Sequence, residues 1–124
     1  MIHKAGRMDA ETENHDKYGP VLIVRGEVDA RTAPGLVIAL DRVLHDHPAR
    51  VLVDLSEISF MDSAGLQPLI DANNLAGPDT VFAVIATGAA ARPLRLTGLD
   101  SIVAIYPHRA MALARTAAVL TPPS

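Results

Sequence analysis

The sequence has no cysteine and no tryptophan. Without cysteine there can be no disulfide, no Cys-based zinc or iron–sulfur site and no thiol catalysis. That is compatible with a reducing cytosol. Aromatic residues are scarce, two tyrosines and two phenylalanines in 124 positions. The core must therefore come from Leu, Val, Ile and Ala, and the ring platforms on which single-strand binders stack bases are missing. Positive charge is also in short supply: 11 Lys and Arg stand against 14 Asp and Glu, for a net charge of −3. No basic stripe is available to neutralise phosphates, so no direct nucleic-acid partner is expected. The longest charge-free apolar stretch, Thr80–Ala91, falls short of the ~20 residues a bilayer-spanning helix needs. Met1–Gly6 lacks the apolar centre of a signal peptide. The expectation is a small acidic cytoplasmic domain, with no membrane partner, no metal and no cofactor.

The chain is 49% hydrophobic, enough for one packed domain. Residues 1–18 read as a flexible polar arm. It carries Lys4, Arg7, Asp9, Glu11, Glu13, Asp16 and Lys17 without a sustained period, and has at most a short edge strand around Ala10–His15. The folded domain is expected over 19–121, with Pro122-Pro123 ending the ordered chain.

Within it, two kinds of segment alternate. Val21–Val24, Val51–Leu55, Val81–Ala86 and Ile102–Ile105 are short β-branched or continuously apolar runs and predict strands. Between Thr32 and His45, Ala33, Leu36, Val37, Leu40, Val43 and Leu44 trace one face of a helix, with Pro34 harmless in its first turn. A second helix opens at Asp62-Ser63-Ala64-Gly65. A short third runs over Ala89–Thr97 to Gly98, and a fourth follows Pro107. The order βαβαβαβα means a largely parallel sheet covered by helices. Right-handed crossovers bring helix starts to its carboxyl edge, where sites in open α/β sheets lie. That edge gathers Asp29, Asp62, Ser63 and the Thr87–Ala90 loop.

Ser63 is the residue of chemical interest. At a helix start the backbone N–H groups lack intrahelical partners and the macrodipole adds partial positive charge, so an anion on this hydroxyl would be tolerated. Spacing alone favours the plainer reading, an Asp-Ser helix cap. Gly65 has a plain reading too, as a small residue that lets the helix approach its neighbours. Pro68 falls inside the expected helix, where a proline costs ~3 kcal/mol, and it predicts a kinked or 3₁₀-like first turn over Ser63–Gln67. A hydrolase elbow is excluded because it needs glycine two residues before the serine, where Met61 stands. His45 and His47, two apart at a helix end, point away from each other and are read as solvated rather than as metal ligands.

Gly26-Glu27-Val28-Asp29, the strand Val51–Leu55 and Phe60-Met61-Asp62-Ser63-Ala64-Gly65-Leu66 together resemble the STAS domain, and more narrowly the bacterial anti-sigma factor antagonists. The later Leu94-Arg95-Leu96-Thr97-Gly98-Leu99 is similar to the family's third helix and its exit. The resemblance implies an α/β fold with a four- to five-stranded, mostly parallel mixed sheet and about four helices packed against it. It implies a non-enzymatic protein acting by partner switching. The family's phosphorylated serine falls on Ser63. The partner that the resemblance implies is an anti-sigma factor that is also a serine kinase, bound by the unphosphorylated form to release a sigma factor, with a PP2C-type phosphatase to reverse the mark. Asp29, Met61, Asp62, Ala64, Gly65 and Leu66 fall at the partner-binding surface. Ala64 departs from members that carry a second serine there. The alternative is a STAS subunit or ligand-binding module of a transport or stress-sensing complex, with Ser63 a cap or docking contact and not a kinase substrate.

Overall fold

The computed structural model describes residues 2–5 and 7–121, with side chains from Arg7 onward. One six-stranded sheet runs in sequence order: β1 (Ile2–Ala5), β2 (Met8–Asp16), β3 (Gly19–Val28), β4 (Arg50–Met61), β5 (Val81–Ile85) and β6 (Ala104–Tyr106). The β1–β2 and β2–β3 pairs are antiparallel and the remaining three are parallel. Each parallel crossover carries a helix: α1 (Ala33–Leu44), α2 (Leu66–Ala76) and α3 (Ala91–Leu96). A fourth, α4 (Arg109–Leu120), closes the chain. The α/β mixed sheet with four helices is the fold that the alternation and the resemblance imply, but it has six strands where four to five were expected, because β1 pairs with the outer edge of β2.

The strand runs alternate, and the two sets of side chains feed two cores. Leu22, Val24, Val51, Val53, Leu55, Phe82 and Val84 meet Leu36, Leu40, Leu69 and Leu94 from α1, α2 and α3 on one face. Val21, Ile23, Leu52, Ala83 and Ile85 meet Ala112 of α4 on the other. A sheet covered on both sides explains why the central strands read as unbroken apolar runs.

The N-terminal arm needs correction. Met8–Asp16 is a nine-residue strand paired with β3 along its length, with one irregularity between Asn14 and Asp16, and it is longer than the Ala10–His15 edge segment. Met8 and Ala10 are buried, while Asp9 and Glu11 approach the Arg25 guanidinium at 3.9 Å each on the opposite face. Cross-strand charge pairing supplies what the arm lacks in apolar residues. Met1, Gly6 and Pro122-Pro123 lie outside the described residues.

The last strand lies over Ala104–Tyr106 rather than Ile102–Ile105, and Ile102 is exposed. Gly98 follows α3 at φ +73°, the left-handed position that favours glycine after a helix. The third helical segment divides into a 3₁₀ turn over Gly88–Ala90 and α3. A 3₁₀ turn over Ser63–Gly65 precedes α2, as Pro68 predicts. The helix starts later than expected, so Pro68 sits in its first turn, where a missing N–H is tolerated.

Two partly buried charge clusters carry no local signal in the sequence. Arg50 is fully buried; its Nη2 donates to Asp16 Oδ1 at 2.7 Å, and its guanidinium lies 5.6 Å from the Tyr18 ring centre. Arg109 donates to buried Asp54 at 2.9 Å and to Glu13 at 3.1 Å. These pairs fasten α4 and the β2–β3 hairpin to the sheet.

Candidate functional site

β3 and β4 run parallel and end together. Val28 pairs with Met61, and the Asp62 N–H donates to the Val28 carbonyl at 3.1 Å. The two chain exits, Asp29-Ala30-Arg31 and Asp62-Ser63-Ala64, therefore leave the carboxyl edge side by side. The Thr87–Ala90 turn reaches the same edge and packs against β4.

Asp62 is the cap. Its backbone is extended, and its Oδ1 accepts the Ala64 N–H at 2.9 Å. The Gly65 N–H bonds to the Asp62 carbonyl at 3.2 Å. Ser63 opens the turn with an exposed side chain and makes no side-chain hydrogen bond among the described residues. The plain reading of the Asp-Ser pair as a helix cap is thus satisfied by Asp62 alone, and the Ser63 hydroxyl is left free.

Asp29 is held as tightly. Its Oδ1 accepts the amides of Arg31 at 2.9 Å and Thr32 at 3.2 Å, and its Oδ2 lies 3.3 Å from Arg31 Nη2. Thr32 is the first cap position of α1, but its hydroxyl turns backward, accepting the Asp29 N–H at 3.0 Å and donating to the Glu27 carbonyl at 2.9 Å. Desolvation pushes the Asp29 carboxyl up, but the two amides and the Arg31 guanidinium outweigh it and hold its pKa below the ordinary 3.8. Asp29 is a fixed anion at neutral pH.

The other expected contacts divide. Ala64 and Leu66 are half-buried and border the serine. Met61 and Gly65 are buried, which corrects their expected place at the docking surface. A Cβ on Gly65 would come within 2.7 Å of Met61 Cε and 2.8 Å of Val28 Cγ1. Gly65 lets the turn sit down on the strand ends, and Met61 packs under it.

The exposed apolar group here is Phe60, at 49% accessibility, three residues before the serine. Two register shifts in the β3–β4 pairing each add a residue to β4. Its buried positions become Leu55, Ile58 and Met61, leaving Phe60 outside. A break in the two-residue alternation after Leu55 is the sequence signal for this. Val37 and Ile38 are exposed on α1, which packs beside α2.

The described residues contain no group of three or more His, Asp or Glu that could hold a metal ion. His45 and His47 are exposed beyond the far end of α1 from this edge. No helix among the described residues is long and apolar enough to cross a membrane.

A mixed sheet with helices on both faces, and a free serine opening the turn after its central strand, defines a STAS-type domain. Residues 11–105 match the family model described as "Mlab, STAS domain". The anti-sigma-F factor antagonist RsfB of Mycobacterium tuberculosis is 36% identical over 87 residues, 69% of this chain and 71% of that protein. The crystal structure of an anti-sigma factor antagonist from Mycobacterium paratuberculosis superposes with a TM-score of 0.83 at 38% identity, covering 88% of this chain and 93% of that one. The phosphorylated form of the Bacillus cell fate determinant SpoIIAA shares the fold alone, with a TM-score of 0.61 at 15% identity over 86% of this chain and 97% of that one. The chain belongs to the STAS-domain family of anti-sigma factor antagonists, a regulatory family.

Proposed function

We propose that this chain is a cytoplasmic partner switch that binds an anti-sigma factor with serine kinase activity, and that phosphorylation of Ser63 makes it let go. A PP2C-type phosphatase restores the binding form. The observation that carries this reading is the division of labour at the turn: Asp62 caps it, so Ser63 is exposed and its hydroxyl has no structural duty.

The acceptor needs no base of its own, because a kinase brings the metal, the nucleotide and the base. This chain has to present the hydroxyl on a firm backbone, and the Asp62 cap and the seat of Gly65 do so. Phosphoserine carries about −1.5 to −2 charge at pH 7. Beside the fixed anion Asp29 and the carboxylate of Asp62, it makes a dense negative patch. An interface formed around the neutral serine would then face both repulsion and desolvation. Phe60, Ala64 and Leu66 supply the apolar surface around it.

Incubation of the full chain with the cognate kinase and Mg-ATP, followed by peptide mass spectrometry, tests the assignment. A single phosphate on Ser63 is expected. No phosphate there, with the kinase active on another substrate, contradicts it and leaves a docking subunit in which Ser63 is an ordinary surface residue.

A further inference from the structure

We propose that Arg31 is a switchable clamp: it pairs with Asp29 while Ser63 is unmodified and passes to the phosphate when Ser63 carries one. The proposal rests on Ser63 being the phosphorylated residue and names how that same site responds to its mark.

Three observations carry it. First, Asp29 keeps its place without the Arg31 side chain. Two backbone amides already fix Oδ1, and the guanidinium touches only Oδ2, at 3.3 Å. The Arg31 side chain is 78% exposed, and exposed ion pairs contribute little and exchange readily. Second, Arg31 stands on the exit from β3, and Ser63 on the exit from β4. The hydrogen bond from the Asp62 amide to the Val28 carbonyl, at 3.1 Å, ties those exits together. Third, two other nearby guanidiniums are engaged elsewhere. Arg7 lies 3.5 Å from Glu27, and Arg25 lies 3.2 Å from Glu57. Arg31 is the guanidinium on the same pair of exits as Asp29, Asp62 and Ser63.

A phosphate dianion offers the planar guanidinium three strong acceptors and up to twice the charge of a carboxylate. Once it stands beside Asp29, the exchange is favoured. Asp29 stays ionised and in position through its amides, but without its counter-ion. The patch that a partner meets then combines an oriented phosphate with an unmasked carboxylate. Arg31 is accordingly a positioning residue for the switch.

The test uses the full chain with phosphoserine installed at position 63 during translation, and follows the ³¹P shift as a function of pH. A guanidinium on the phosphate favours its dianion, so Arg31→Gln is expected to raise the second phosphate pKa, with roughly three- to tenfold tighter proton binding. The Arg31 side chain makes no contact that the fold depends on, and circular dichroism of the variant verifies folding. Coincident titrations of wild type and variant overturn the clamp. No kinase is used, so a chain that its kinase fails to modify contradicts the functional reading, while this titration still gives its own answer.

Discussion

Gly65 rests against Val28 so closely that a single added carbon would lie 2.8 Å from the Val28 Cγ1 atom. Val28 is β-branched, fully buried and fixed in β3. This contact sets the height of the Ser63 turn above the sheet. Gly65→Ala is expected to destabilise the fold by ~1–3 kcal/mol, the usual range for overpacking, and to displace the turn. Urea midpoints and the amide shifts of Ser63 and Ala64 measure the two effects. A variant with wild-type stability and wild-type shifts would show that the contact is slack.

Asp62 supplies the cap. Asp62→Ala should cost ~0.5–2 kcal/mol, and Asp62→Asn, which keeps the acceptor oxygen, much less. Chemical denaturation of the three proteins measures this. Equal losses in Ala and Asn variants would point to the charge rather than the hydrogen bond.

Phe60 and Met61 are neighbours with opposite duties. Phe60→Ala is expected to leave the thermal midpoint near wild type and weaken binding to the anti-sigma factor by ~10-fold or more, as central aromatic anchors do. Met61→Ala should instead lower stability by ~2–5 kcal/mol, the usual cost of truncating a buried methionine. Calorimetry of the free proteins and titration with the partner separate the two. The reverse pattern would place Met61 at the interface.

Asp16 makes the fold acid-sensitive. Partial desolvation raises its pKa, but the Tyr18 amide and the Arg50 guanidinium outweigh this and hold it below 3.8. A carboxyl depressed in the native state contributes stability in full above the unfolded pKa, and that contribution is lost as pH falls through the native one. Denaturation midpoints measured downward from pH 6 should therefore fall less steeply for Asp16→Asn than for wild type. Parallel curves would assign the acid loss to other groups.

Much of this was legible in the sequence. The runs at Val21–Val24, Val51–Leu55 and Val81–Ala86 and the α1 period declare themselves, because burial on both faces leaves few polar interruptions. The Asp62-Ser63 turn and the effect of Pro68 follow from local backbone chemistry. β2 was obscured because its inward face offers only Met8 and Ala10 as buried apolar groups, and its outward carboxylates find Arg25 only once the strands pair. Arg50 opens an apolar strand, and nothing adjacent to it in the sequence signals its burial. Its burial depends on Asp16 and Thr116, 34 and 66 positions away. Met61 is buried and Phe60 exposed because the two bulges in β4 arise from its pairing with β3.

The affinity of the anti-sigma factor for wild type, Ser63→Ala, Ser63→Asp and chain phosphorylated on Ser63, measured at one salt concentration, tests the central claim most directly. Wild type and Ser63→Ala should bind alike. The phosphorylated chain should bind at least ~100-fold more weakly, toward the ~10⁴-fold that a complete swing between bound and free requires, with Ser63→Asp in between. Equal affinity for all four would contradict the switch.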